Sequence, residues 1–202
     1  MIALIDYGAG NLTSVKKALT FLGADFVVPA SPAELRDARG VIVPGVGHFA
    51  ATAALDGPWY DAIAAETSGG KPLLGICLGM QWLFEGSDEA PDVKGLGVMT
   101  GRITRLQGDP EHRLKIPHVG WNALEFTKPA RLLGGLATGA QVYFTHSYAA
   151  PITDDTVAAT THRDPFASVV ERGHVFGVQF HPEKSSDAGL QMIRNFLGVC
   201  GR

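Results

Sequence analysis

Only two of the 202 residues are cysteines, Cys77 in mid-chain and Cys200 near the end. Such a pair is no disulfide framework, and it fits a chain that works in a reducing cytoplasm. Charge is scarce as well. Charged residues make up 18%, the net charge is −3 and no basic run occurs, which argues against a nucleic-acid or membrane-surface partner. No apolar run approaches the ~20 residues of a membrane-spanning helix. The opening Met1-Ile2-Ala3-Leu4-Ile5-Asp6 meets a carboxylate at once, unlike the basic start of a signal peptide. No histidine pair has the close spacing of a zinc motif, so no metal is expected. A dinucleotide loop is excluded too, because Thr13 stands where the third glycine after Gly8-x-Gly10 belongs. No cofactor is expected, and neither a repeat nor a linker divides residues 1–202, which are read as a single domain.

What the chain does have is glycine (25) and proline (12), scattered between short apolar runs. Ile2–Ile5 reads as a strand covered on both faces, Phe26–Val28 and Gly40–Val43 as the next two strands, and Lys71–Leu74 as a short buried one. Helical stretches separate them: Leu12, Val15, Leu19 and Leu22 on one face, a capping box at Ser31-Pro32-Ala33-Glu34, and residues 50–68 broken near Gly57-Pro58. Strands alternating with helices imply a doubly wound, mostly parallel α/β sheet, whose site lies outside the carboxyl ends of its strands. The glycine-rich turns after residues 5, 43 and 76 should therefore share one edge. Past residue 90 the runs Val98–Leu106, Trp121–Phe126, Val142–Tyr148, Thr156–Thr161, Phe166–Glu171 and His174–Phe180 lack intervening helices. They predict added antiparallel strands in the C-terminal half, the last two joined by a hairpin at Arg172-Gly173. A final helix runs from Ser186 to about Val199.

The central stretch is Gly75-Ile76-Cys77-Leu78-Gly79, between a strand and a helix beginning at Met80. A cysteine flanked by glycines at minus two and plus two is the thiol form of the nucleophile elbow. The glycines permit a sharp turn, and the following helix turns its free N–H groups and dipole toward the sulfur. Taken alone, the same residues also describe a buried, inert cysteine. A base is offered by His181 in Gln179-Phe180-His181-Pro182-Glu183, at the end of an apolar strand. In extended backbone Glu183 would face the same side as the imidazole and orient it. Oxyanion donors are offered by the Leu78 amide and the Gly45-Val46-Gly47 loop. Glycines on both sides of Val46 make its peptide cheap to rotate, so that donor is expected to be switchable.

With thiol, base, carboxylate and donor loop in place, the chain resembles the class I (triad-type) glutamine amidotransferases, which have a flavodoxin-like fold. Asp6-Tyr7-Gly8-Ala9-Gly10-Asn11-Leu12, Pro44-Gly45-Val46-Gly47, Pro117-His118-Val119-Gly120-Trp121-Asn122, His146-Ser147-Tyr148 and Glu183-Lys184-Ser185 match, within that class, the glutaminase subunits of imidazole glycerol phosphate synthases. The resemblance covers essentially the whole chain. It implies Cys77 as nucleophile, His181 as acid/base and Glu183 as its orienter, with no cofactor. It further implies glutamine held by Gln81, by backbone at Ser147 and Tyr148, and by Glu89, which neighbours Asp88 in an acidic loop. The implied partner is a (β/α)8-barrel cyclase that receives ammonia, with Asn11, Trp121, Tyr143 and Lys184 at or near the contact. Read without the resemblance, Trp121 and Tyr143 serve equally well as core residues.

Overall fold

Continuous apolar runs form the first strands, and the computed structural model, which describes residues 1–201, buries Ile2–Leu4, Gly40–Val43 and Leu73–Ile76 but leaves the edge strand Phe26–Val27 half-buried. Strands β1 (Ile2–Leu4), β2 (Phe26–Val27), β3 (Gly40–Val43) and β4 (Leu73–Ile76) pair in parallel, in the order β2-β1-β3-β4. Helix α1 (Leu12–Phe21) and a 3₁₀ turn at Pro32–Asp37 connect the first three. Ser31 and Glu34 do cap that turn, the Ser31 N–H donating to the Glu34 carboxylate at 3.1 Å. A second 3₁₀ turn (Phe49–Leu55) and α2 (Pro58–Ser68) lead to β4, with the break at Gly57-Pro58. Strand β4 starts later than Lys71, because the Lys71 N–H still closes on the Glu66 carbonyl of α2 at 3.0 Å and Pro72 has no N–H to give. Helix α3 (Leu78–Trp82) then begins two residues ahead of Met80 and has only five residues.

The second half holds β5 (Gly86–Ser87), β6 (Ala90–Lys94), β7 (Arg102–Arg105), β8 (His118–Ala123), β9 (Glu125–Phe126), β10 (Gln141–His146) and β11 (Tyr148–Ala149). After them come β12 (Thr156–His162), β13 (Asp164–Arg172), β14 (Val175–Val178) and helix α4 (Ser186–Val199). Strand β14 inserts parallel to β4, and β13, β12 and β9 extend the same sheet antiparallel, giving eight strands in the order β2-β1-β3-β4-β14-β13-β12-β9. The expected addition is therefore present, but other strands leave the sheet. β8 pairs only with β10, and β11-β7-β5-β6 form a third small sheet.

Several expected boundaries move for local reasons. Trp121–Phe126 is two strands serving two sheets, and Val142–Tyr148 is broken at Ser147, where the His146 imidazole bonds the Tyr148 carbonyl at 2.8 Å and turns the chain. The hairpin turn is Gly173-His174, one residue beyond Arg172-Gly173, since Arg172 still pairs with Val175 and Gly173 supplies the positive φ of 55°. Strands β5 and β6 were not foreseen, because Ala90-Pro91-Asp92-Val93-Lys94 shows no apolar alternation.

The core lies in two layers, one on each face of the sheet. Val15 and Leu19 of α1, with Ile193 and Phe196 of α4, cover Ile42, Leu74 and Ile76 on one face. Ile63 of α2, with Met80 and Trp82 of α3, covers Val41, Val43 and Leu73 on the other. Among the described residues no helix is long and apolar enough to cross a membrane. The tightest contact is where α3 crosses β3: a Cβ on Gly79 would fall inside the Val43 carbonyl oxygen, whereas one on Gly198 of α4 would meet nothing. Gly79→Ala is therefore expected to cost about 3 kcal/mol or more in urea unfolding, since no backbone there can yield. Gly198→Ala, in an open helix position, should gain about 0.5–1 kcal/mol in the same measurement.

Candidate active site

Residue Cys77 carries the strain of the elbow itself. Its φ of 54° and ψ of −108° lie where a side chain is rarely tolerated, while Gly75 and Gly79 do not adopt positive φ. The glycines serve clearance: a Cβ on Gly75 would stand 2.6 Å from the Gly79 carbonyl oxygen. Two backbone bonds pin the strained residue, Cys77 N–H to the Val178 carbonyl at 2.8 Å and Gln81 N–H to the Cys77 carbonyl at 3.1 Å. With five residues, α3 contributes little macrodipole, so charge at the sulfur must be stabilised by its neighbours.

Those neighbours come from β14, whose Val178 is in register with Ile76 and so delivers His181 to the same edge. His181 is extended, but Pro182–Lys184 is a 3₁₀ turn, with Pro182 at its first position. The expectation that residues 181–183 stay extended is therefore incorrect. Proline favours the first turn of a helix as readily as a strand edge. The turn nonetheless brings Glu183 Oε1 to 2.8 Å from His181 Nδ1, with the side chains only 1% and 2% exposed. The other ring nitrogen, Nε2, is buried and makes no geometric hydrogen bond to the described residues. Burial pulls this imidazole down, but the Cys77 sulfur beside it and the Glu183 carboxylate outweigh that and raise its pKa to about 10. Both neighbours favour the imidazolium form of His181.

The three glycine-rich turns do meet at one edge. Gly45 packs so closely that a Cβ there would clash with the Tyr7 hydroxyl and stand 2.8 Å from Leu78 Cβ. The Leu78 amide does not stand free: it donates to the Gly45 carbonyl at 3.3 Å. Of the expected oxyanion donors, this one is engaged by the very loop that should supply the other. Gly47 has a φ of 111°, a conformation that leaves the Val46–Gly47 segment to glycine-like backbone. Tyr7 has a buried hydroxyl with no hydrogen-bond partner among the described residues, and burial first, then the Cys77 sulfur, push its ionisation well above the ordinary tyrosine range.

Beside Cys77 opens a cavity of about 220 Å³, lined by residues that include Gly47, Leu78, Gln81, Glu89, Ser147 and Tyr148. The Gln81 amide donates to the Tyr148 carbonyl at 2.9 Å and to Gln179 Oε1 at 3.1 Å. Glu89 accepts the Phe49 N–H at 2.8 Å and faces the cavity, whereas Asp88 turns outward to Arg102 at 3.3 Å. Between the two acidic residues, the cavity carboxylate is Glu89.

Three groups here escaped sequence reasoning: Gln179, and the side chains of His118 and His146. The Tyr148 carbonyl accepts His146 Nδ1–H, so His146 Nε2 must accept, and His118 Nδ1, 3.1 Å away, must donate. The pair is held neutral. Burial, with His162 adding repulsion, lowers His118 to about 4; burial, only partly countered by the Tyr148 carbonyl, lowers His146 to about 3. Both histidines stand in stretches that carry the family resemblance, but nothing in their spacing shows that the two rings meet.

The residues implied at a partner contact are scattered in role. Asn11 caps α1, its side chain accepting the Ser14 N–H at 3.4 Å and donating to Ser14 Oγ at 2.9 Å. Trp121 is 53% exposed and Val119 57%, so the tryptophan is not a core residue; its ring meets Tyr143 edge-on at 6.2 Å. Lys184 is exposed on the turn after His181. The Tyr143 carbonyl accepts the His181 N–H at 2.9 Å, so the exposed sheet face and the imidazole share one backbone link.

The structure thus brings an elbow cysteine, a histidine–glutamate pair and an amide-lined cavity to one edge of a doubly wound sheet. The family model "Glutamine amidotransferase class-I" matches residues 3–199, and the chain belongs to that family. Within it, the chain is 49% identical to "Imidazole glycerol phosphate synthase subunit HisH" of Desulfitobacterium hafniense (strain DSM 10664 / DCB-2), covering 97% of this chain and 93% of that one. It is 47% identical to the subunit of the same name from Geobacillus kaustophilus (strain HTA426), covering 98% and 97%. Among solved structures, "Crystal structure of glutamine amidotransferase" superposes with a TM-score of 0.76 at 21% identity, covering 100% and 99% of the two chains. The structure of PurLQS from Thermotoga maritima gives 0.71 at 20% identity, covering 98% and 97%; these two show the fold.

The neutral histidines have a measurable consequence. Below pH 6.5 the unfolded chain protonates His118 and His146 and the native one does not, so native stability falls as pH drops from 6.5 through about 4 and about 3. NMR titration of the imidazole carbons should show both rings still neutral at pH 5; midpoints near 6.5 would contradict the assignment.

Proposed function

We propose that the chain is the glutaminase subunit of imidazole glycerol phosphate synthase. It hydrolyses L-glutamine to glutamate and ammonia and passes the ammonia to a (β/α)8-barrel cyclase subunit, which makes imidazole glycerol phosphate and AICAR in histidine biosynthesis. The observation that carries the reading is the buried His181–Glu183 pair, 2.8 Å apart, set against Cys77 at the wall of a cavity lined by amide and carboxylate groups. The full-length similarity to subunits of that synthase supports the choice of acceptor.

The reacting form is a thiolate–imidazolium pair, with the Cys77 proton passed to His181 Nε2. Cys77 thiolate attacks the side-chain amide carbon of glutamine, held by Gln81, by the backbone at Ser147 and Tyr148, and by Glu89 against the α-amino group. The oxyanion is received by the Leu78 N–H and by an N–H of the Gly45-Val46-Gly47 loop. His181 imidazolium gives its Nε2 proton to the departing nitrogen, releasing ammonia and leaving a γ-glutamyl thioester on Cys77. The imidazole, now neutral, takes a proton from water, whose oxygen attacks the thioester. Glutamate leaves and the thiolate–imidazolium pair is restored. Glu183 holds the ring and stabilises its cation throughout.

In the resting structure the Leu78 N–H is bonded to the Gly45 carbonyl, which supports a conditional enzyme. The Gly45–Val46 peptide must rotate to free that N–H and present another. Partner binding favours the rotated state, through a contact that includes Asn11, Trp121, Tyr143 and Lys184. The exposed Trp121 and Val119 on one strand support a partner surface there. The reaction takes place in the cytoplasm, and no nucleic acid or membrane takes part.

Glutamate release should be slow for the chain alone, faster with the cyclase, and fastest with cyclase plus its nucleotide substrate. Equal rates in all three would remove the conditional loop. Cys77→Ala should bind the cyclase, lose glutamine-dependent product formation by at least about 10³-fold and keep ammonia-dependent formation. Retained glutamine turnover would refute the nucleophile.

A further inference from the structure

Gln179, one residue beyond β14, is fully buried and belongs to none of the groups given a role above. Its backbone N–H is taken by the Ser168 carbonyl at 2.9 Å, so the strand holds it in place. Its side chain spans the site: Oε1 accepts from Gln81 Nε2 at 3.1 Å, and Nε2 lies 3.8 Å from Cys77 Sγ. That is an ordinary separation for an N–H donor to sulfur.

The direction of both amides is fixed by a third group. The Tyr148 carbonyl can only accept, and it takes Gln81 Nε2 at 2.9 Å as well as the His146 Nδ1 proton at 2.8 Å. Turning the Gln81 amide over would set its oxygen against that carbonyl. With Gln81 nitrogen so placed, Gln179 must present oxygen to it, and its NH₂ then faces the sulfur. Two carboxamides are thus locked in series by one backbone carbonyl. A sulfur that receives a buried N–H is favoured as thiolate, which accepts far better than a thiol.

We propose that Gln179 is a positioning residue for the nucleophile, donating to Cys77 Sγ so as to hold the thiolate, with its own orientation set by the glutamine-binding Gln81. The inference rests on the proposed glutaminase function for its biological meaning, but the contact itself is independent of substrate. The titratable groups that face the sulfur are His181, backed by Glu183, and Tyr7. None of these is altered by changing Gln179 to methionine, which keeps the volume and removes the donor.

The test is the pH dependence of Cys77 alkylation by iodoacetamide, followed by mass spectrometry of the Cys77 peptide, with no glutamine or partner present. In Gln179→Met the midpoint should rise by about one unit, and alkylation on the acid side of it should fall about tenfold. A loss of packing alone would change the melting temperature without moving that midpoint. Should Gln179→Met not fold, Gln81→Met serves instead: it frees the Gln179 amide to rotate without touching the sulfur, and the midpoint should again rise. An unchanged midpoint in either folded variant overturns the proposal. A wild-type Cys77 that iodoacetamide does not alkylate at any pH would instead strike at the glutaminase reading itself.

Discussion

The site depends on a backbone that passes through Cys77 in a conformation few side chains accept, and on the structure that keeps it there. A φ of 54° at a cysteine costs on the order of 1–3 kcal/mol. Ile76, Leu78 and Met80, on either side of it, are each about fully buried, and burying one such side chain returns about 1.5–3 kcal/mol. The turn is therefore affordable. Its shape is dictated by contacts too close for a Cβ: Gly79 against the Val43 carbonyl, Gly75 against Gly79, Gly45 against Tyr7. Because these approaches join the ends of β1, β3 and β4, the Gly45–Gly47 loop cannot be placed independently of Cys77. Strand β14 completes the arrangement by bonding Cys77 N–H through Val178 and then delivering Gln179 and His181.

One residue type is used here in two opposite charge states. His181 and His146 are both buried and both lose solvation, yet the first is raised to about 10 and the second lowered to about 3. The difference lies in what each meets. His181 faces a carboxylate and a sulfur, either of which favours the cation, whereas His146 meets a backbone carbonyl and a second histidine. A carbonyl is satisfied by a neutral ring and cannot repay the desolvation of a charged one. Charge is thus confined to the atoms that exchange protons, and the neighbouring pair stays neutral while it holds the Tyr148 carbonyl in place.

Much of this was readable in the chain. Apolar runs without alternation placed β1, β3 and β4, and the glycines around Cys77 marked the elbow. His181 and Glu183 were found by position, although the reason given for their proximity, an extended segment, was incorrect: a 3₁₀ turn does the work. What the sequence could not disclose is where a chain changes partners. Residues 121–126 and 142–148 look like single strands, and only the competition between sheets, with the His146 bond to Tyr148, divides them. Gln179 was hidden for a related reason. Its role depends on the orientation of two amides and one carbonyl drawn from three separate elements, and no spacing in the sequence encodes that.

The central claim is that Cys77, in the cavity that takes glutamine, is the attacking atom. It is tested most directly with a glutamine analogue that carries an electrophilic ketone in place of the side-chain amide, followed by peptide mapping of the complex with the cyclase. Both cysteines are buried, and burial pushes the Cys200 thiol up to about 12, so only one is suited to react. The account predicts a single adduct, on Cys77, that free glutamine competes away. An adduct on Cys200, or labelling of Cys77 that glutamine does not suppress, would contradict it.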